Sequence, residues 1–146
     1  ISKIHKNIGI VFENNFFLSN LTVDENIIFP LILNNQNKLA IKNTLAELLS
    51  WLNLKKFIGE SISNLSFFEL KLVQFARAII SRPRILLLDE FFLGFGEDIE
   101  KKIIYLLLAL NKIGTTIIIF GKKPDISLIN LDKEFKIINK NLQEIY

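Results

Sequence analysis

The 146 residues carry 18 Lys and Arg against 15 Asp and Glu, a formal net charge of +3, and are 50% hydrophobic, with 13 phenylalanines, no cysteine and no methionine. That length and apolar content suit one domain with a real core and exclude wholesale disorder, and the missing thiols exclude disulfides and thiolate metal sites. The lysines are scattered rather than gathered in a stripe with interleaved aromatics, which argues against a nucleic-acid surface, and no apolar run reaches the roughly 18 to 20 residues that span a bilayer.

In chain order, His5 stands beside Lys3 and Lys6 with no cluster of potential ligands around it, and no cleavable signal is visible. The apolar run Ile8 to Phe12 ends at Glu13, and Phe16-Phe17-Leu18 follows. If extended, adjacent Phe16 and Phe17 face opposite ways, so at least one is available to a partner, whereas Val23 and Phe29 are expected in the core. Asn43 to Leu54 reads as an amphipathic helix with Leu45, Leu48, Leu49 and Leu52 inward. Ser66-x-x-Glu69 is a capping box, and the helix it opens runs through Leu72, Val73, Phe75, Ala76 and Ile79 until Pro83 stops it.

Ile85 to Leu88, flanked by Arg84 and Asp89, reads as a short strand buried on both faces, the kind found inside parallel sheets. Asp89 and Glu90 close it. Carboxylates at such a strand end lie in the crevice where open α/β sheets bind ligands. With a nucleotide present, Asp89 can hold Mg2+ through water and Glu90 can polarise an attacking water; a strand that simply ends in polar residues accounts for the pair equally well. Ile99 to Leu110 reads as a helix ended by Gly114, and Thr116 to Phe120 as a β-branched strand. This alternation favours a parallel α/β sheet. Gly121-Lys122 follows a strand as a phosphate loop would, but Lys123-Pro124 replaces the hydroxyl residue and the helix start, which makes it a decoy.

Taken together, Leu65-Ser66-x-x-Glu69, a helix with Ala76-Arg77-Ala78, Pro83, and Ile85 to Glu90 resemble the signature-to-Walker-B region of ATP-binding cassette (ABC) transporter ATPases. Upstream, Ile8 to Glu13, Leu18, Thr22-Val23, Glu25-Asn26 and Phe29-Pro30-Leu31 resemble the Q-loop region of cassettes paired with membrane permeases, most closely the cell-division and lipoprotein-release group, FtsE and LolD. The resemblance implies a P-loop NTPase-like core, a parallel sheet with flanking helices, plus a helical subdomain. It implies a single partial domain over 1–146, with Q-loop and helical subdomain over about 20–64 and signature helix, Walker B and C-terminal core strands over about 65–146. The family's N-terminal third is expected to be absent. ATP and Mg2+ are the implied cofactors, with Glu90 as candidate general base and Asp89 and Glu13 as Mg2+ positions through water. Ser66, Phe67, Phe68, Glu69 and Lys122 fall at nucleotide-contacting positions.

Several of these positions depart from the family's pattern. The Q-loop glutamine is Glu13, the two signature glycines are Phe67 and Phe68, the proline after the catalytic glutamate is Phe91, the D-loop aspartate is Gly96 and the switch histidine is Lys122. Two benzyl groups block close approach of a helix N-terminus to a phosphate, and lysine has no acceptor with which to mimic neutral imidazole. No G-x-x-x-x-G-K-[ST] stretch occurs, and the chain opens on Ile1, which leaves an upstream segment open. The expectation is the ATP-binding subunit of an ABC transporter or FtsE-like membrane complex, with weak or no ATP hydrolysis. A non-catalytic permease-binding scaffold is the second reading. A chromosome-maintenance ATPase of the SMC type is the third, against which the Pro30-Leu31 segment argues.

The implied partner is a polytopic membrane permease, whose coupling helix would meet Phe16, Phe17, Leu18, Val23 and Phe29. The family also forms homodimers. No nucleic acid and no direct membrane insertion are expected, and the implied place is the cytoplasmic, inner face of a membrane. Bias towards Ile, Asn, Lys and Phe fits drift in a reduced bacterial or organellar genome.

Overall fold

The run Ile85–Asp89 forms β2, the middle strand of a three-stranded parallel sheet with order β1-β2-β3. The computed structural model of the chain describes residues 7–122, 124 and 129–145. The readings made at Ile1, Lys3, His5, Lys6 and Lys123 lie outside the described residues. β1 is Ile8–Val11 and β3 is Thr116–Phe120, in registers that set Val11 beside Leu88 and Asp89 beside Phe120. Between β1 and β2 the chain makes α1 (Val23–Leu33), α2 (Lys38–Trp51) and α3 (Phe67–Ile79). α4 (Glu97–Lys112) connects β2 to β3. An antiparallel pair, β4 (Phe135–Ile138) and β5 (Asn141–Glu144), forms a separate two-stranded sheet.

The expected alternation is thus realised as a parallel sheet with helices. Leu86 and Leu88, on one face of β2, are fully buried, but Ile85 on the other is 37% exposed and Leu87 only half-buried. The expected burial on both faces is thus realised on one, because helices cover that face alone at this end of the strand among the described residues. α3 lies directly under β1, close enough that a Cβ on Gly9 would stand 2.4 Å from the Ala78 carbonyl oxygen. Gly9 is therefore the residue that lets strand and helix touch. Phe75 of α3 stacks on Phe91 just past β2, with ring centroids 4.9 Å apart, and Phe91 meets Phe92 and Phe95 edge-on. Aromatic packing beyond area burial anchors this corner of the core.

The ends of α2 and α4 differ from the periodicity. α2 starts at Lys38 rather than Asn43 because the Asn37 side chain accepts from the Leu39 N–H at 2.8 Å, a local cap that hydrophobic spacing does not reveal. It ends at Trp51, where Asn53 takes a left-handed conformation (φ 57°). α4 extends to Glu97 and Lys112, its first turn filled with Glu97, Asp98 and Glu100, which favour the positive end of the helix dipole. α3 ends at Ile79, ahead of Pro83, and the turn is made by Arg82 at φ 50° with its N–H donating to the Ile79 carbonyl. The β4–β5 hairpin turns at Asn139-Lys140, both with positive φ, the conformation that two-residue hairpin loops demand.

Candidate functional site

The C-terminal end of β2 and the N-terminus of α3 build the site. Ser66 and Glu69 make the predicted capping box: the Ser66 Oγ accepts from the Glu69 N–H, and the Glu69 carboxylate accepts from the Ser66 N–H at 2.9 Å. The Ser66 N–H, and then the Ser66 hydroxyl, which also donates to the Glu69 carboxylate at 2.7 Å, hold the Glu69 carboxyl below the usual carboxylate range, ahead of the more distant Lys56. Phe67 and Phe68 occupy the first turn of α3 with half or nearly half of each side chain exposed, their rings edge-to-face at 5.6 Å.

Asp89 sits half-buried at the strand end, and Glu90 follows at φ 44°, an uncommon conformation for a residue with a side chain. The Glu90 N–H donates to the Phe120 carbonyl at 3.1 Å, which extends the β2–β3 pairing by one residue. Its carboxylate turns onto the following loop, where Oε2 accepts from the Lys122 N–H at 3.1 Å. Gly121 makes that possible: a Cβ there would lie 2.2 Å from the Glu90 carboxyl carbon. Gly121-Lys122, a decoy by sequence, is in fact the backbone seat of the Glu90 carboxylate. The Lys122 side chain is exposed.

Lys71 was not singled out by sequence, yet it lies at the centre. It is 2% exposed, and its Nζ donates to the carbonyls of Glu90 at 2.9 Å, Phe91 at 3.3 Å and Leu93 at 3.3 Å. Burial pushes this ammonium below the usual lysine range, opposed by the Glu90 and then the Glu13 carboxylate. Glu13 is otherwise exposed in the loop after β1. A lysine among the buried positions of an apolar helix was the signal available, since a charge is retained inside only when partners compensate it.

On the opposite side of β1, a groove of about 650 Å³ is lined by Phe16, Phe17, Leu18, Phe29, Pro30 and Arg77, among others. Phe16 is 60% exposed, while Phe17 packs against the core under the Arg77 guanidinium, 5.1 Å from its ring. Arg77 also donates to the Phe16 carbonyl. Val23, a candidate for this surface, is fully buried, because its side chain joins the hydrophobic core at the start of α1, where its N–H donates to the Glu60 carbonyl. The Asn26 side chain, also fully buried, fixes the rim by donating to the Leu18, Leu21 and Thr22 carbonyls and accepting from the Leu18 N–H.

Asp89 and Glu90 bring two carboxylates together at the C-terminal end of β2. Among the described residues no group of three or more metal-ligating side chains is placed to hold a metal ion. Mg2+ is ordinarily held by one or two carboxylates together with substrate phosphates. Asp89 and Glu90 are the carboxylates at this strand end, but one Glu90 oxygen is already bonded to the Lys122 N–H, and bulky Phe67 and Phe68 stand in the first turn of α3. The described residues alone do not fit the complete group. No helix among them is long and apolar enough to cross a membrane.

Comparison with known proteins gives a consistent picture. Residues 1–92 match the family model described as ABC transporter. The methionine import ATP-binding protein MetN of Xylella fastidiosa is 32% identical over 124 residues, 84% of this chain and 37% of that protein. MetN of Escherichia coli O157:H7 is 34% identical over 127 residues, 86% of this chain and 37% of that protein. A solved dimeric ATP-binding cassette in a post-hydrolysis state, bound to ADP and Pi, superimposes with a TM-score of 0.75 at 28% identity, covering 87% of this chain and 56% of that one. The chain therefore spans little more than a third of the curated relatives it matches. Those relatives are methionine import ATP-binding proteins, in place of the cell-division and lipoprotein-release proteins suggested by the Thr22-Val23 segment.

Proposed function

This chain belongs to the ABC transporter ATPase family, and on that premise we propose that it serves as the ATP-binding subunit of a membrane importer, with weak or no ATP hydrolysis of its own. The role named for its relatives, methionine import, supports an amino acid as the transported substrate. In this reading Glu90 is the general-base position and Asp89 with Glu13 the Mg2+ side. Ser66, Phe67, Phe68, Glu69 and Lys122 stand where nucleotide would be contacted. The groove beside Phe16, Leu18 and Phe29 receives an amphipathic helix of a polytopic permease at the cytoplasmic face of the membrane, a helix-in-groove contact that needs such an apolar trough. Pairing of two copies follows the dimeric cassette it resembles.

The observation that carries weak hydrolysis is the engagement of Glu90. Phosphoryl transfer depends on positioning and electrostatic stabilisation, and here the Glu90 carboxylate is bonded to the Lys122 N–H while two phenylalanines fill the first turn of α3. Phosphate release from ATP by the chain, measured with and without Mg2+, tests this directly. Turnover at background is the expected result. Mg-dependent turnover abolished by Glu90→Gln would overturn it. The same groove supports the second reading, a non-catalytic permease-binding scaffold. That reading gains if membranes bearing a methionine-import permease retain the chain without nucleotide and release the Leu18→Asp variant.

A further inference from the structure

Resting on that reading of the Asp89–Glu90 strand end, we propose that Lys71 is a positioning residue for Glu90, whose ammonium grips the main chain from Glu90 to Leu93 and so delivers the Glu90 carboxylate to the Gly121–Lys122 backbone. A non-glycine residue at φ 44° persists only where its surroundings over-determine it. Three bonds do so here. Strand pairing fixes the Glu90 N–H on Phe120, the Lys122 N–H fixes the carboxylate, and Lys71 fixes the carbonyl between them.

The geometry is that of a grip rather than of filler. Lysines that merely cover apolar surface run their stems along it and keep the head in water. Lys71 does the reverse: its three ammonium donors meet three carbonyls, and its Nζ lies 5.3 Å from the centroid of the Phe67 ring and 5.8 Å from that of Phe95. Every acceptor belongs to the turn that Glu90 opens. Removing the ammonium leaves these carbonyls without that donor and frees Glu90 to return to an ordinary backbone conformation, which swings the carboxylate off Lys122.

Per-residue amide exchange on the whole chain, wild type against Lys71→Met, tests this without nucleotide. Methionine keeps the volume and removes every donor. The Glu90 and Lys122 amides are expected to lose protection by about tenfold or more beyond any change at Leu86 and Leu88, which report global opening of the sheet. An equal loss at all four amides would show that Lys71 acts only through core stability, and unchanged protection at Glu90 and Lys122 would show that it does not hold the turn; either overturns the proposal. Should Lys71→Met fail to fold, the wild-type chain still decides. A Lys71 ammonium bonded to three carbonyls gives a solvent-protected Nζ proton resonance at neutral pH, and an Nζ signal exchanging as fast as those of exposed lysines refutes the grip. Failure to bind ATP would sink the functional reading above and leave these measurements unaffected.

Discussion

At the level of single residues, Ser66 and Glu69 offer the cleanest acid-range test. The Glu69 carboxyl is depressed by the Ser66 bonds, so the stability it contributes is fully present above the unfolded value of 4.5 and is lost as pH falls through the lower folded value. Glu69→Gln keeps the reciprocal cap but has no titrating group, and thermal melts of the two forms should converge as the pH drops below 4.5. Ser66→Ala should cost about 1 kcal/mol at neutral pH by urea unfolding. Gly121→Ala meets the Glu90 carboxyl head-on at φ 85° and should cost about 1–3 kcal/mol while displacing the carboxylate, read as lost protection of the Lys122 amide. The cap was readable because its chemistry is complete within four consecutive residues. Lys71 and Gly121 were not, because their partners lie 19 or more positions away and nothing local says which way a lysine stem will run.

Among elements, the contact of β1 with α3 is the one a single methyl group should break. Gly9→Ala places carbon 2.4 Å from a backbone oxygen, which cannot move without shifting the helix, and a loss of about 1–3 kcal/mol in urea unfolding is expected, with the Phe16–Leu18 rim of the groove disturbed as well. β2 and β3 were readable in advance because a buried strand and a β-branched run carry their own signal in consecutive side chains. Helix ends were read less well. α2 begins at a cap supplied by Asn37, five residues before its apolar stripe takes over, and exposed Leu39 gave no inward signal there.

At the scale of the whole molecule, β3 pairs with β2 on one side only among the described residues, and Ile118 and Phe120 are 41% and 51% exposed. An unpaired edge carrying large apolar side chains is a template for another chain. Light scattering should show association that grows with concentration, and Ile118→Lys should suppress it without altering the unfolding free energy by more than about 0.5 kcal/mol. The parallel order of the sheet followed from alternating strand and helix signals, whereas the separate β4–β5 pair had no amphipathic pattern to announce it, since all eight of its residues face solvent. That hairpin is tied by its own ladder and the Lys133–Glu144 ion pair. Two strands alone are barely stable in water. A protease supplied in trace amounts should therefore clip the chain here first, and the trimmed remainder should melt where the intact chain does.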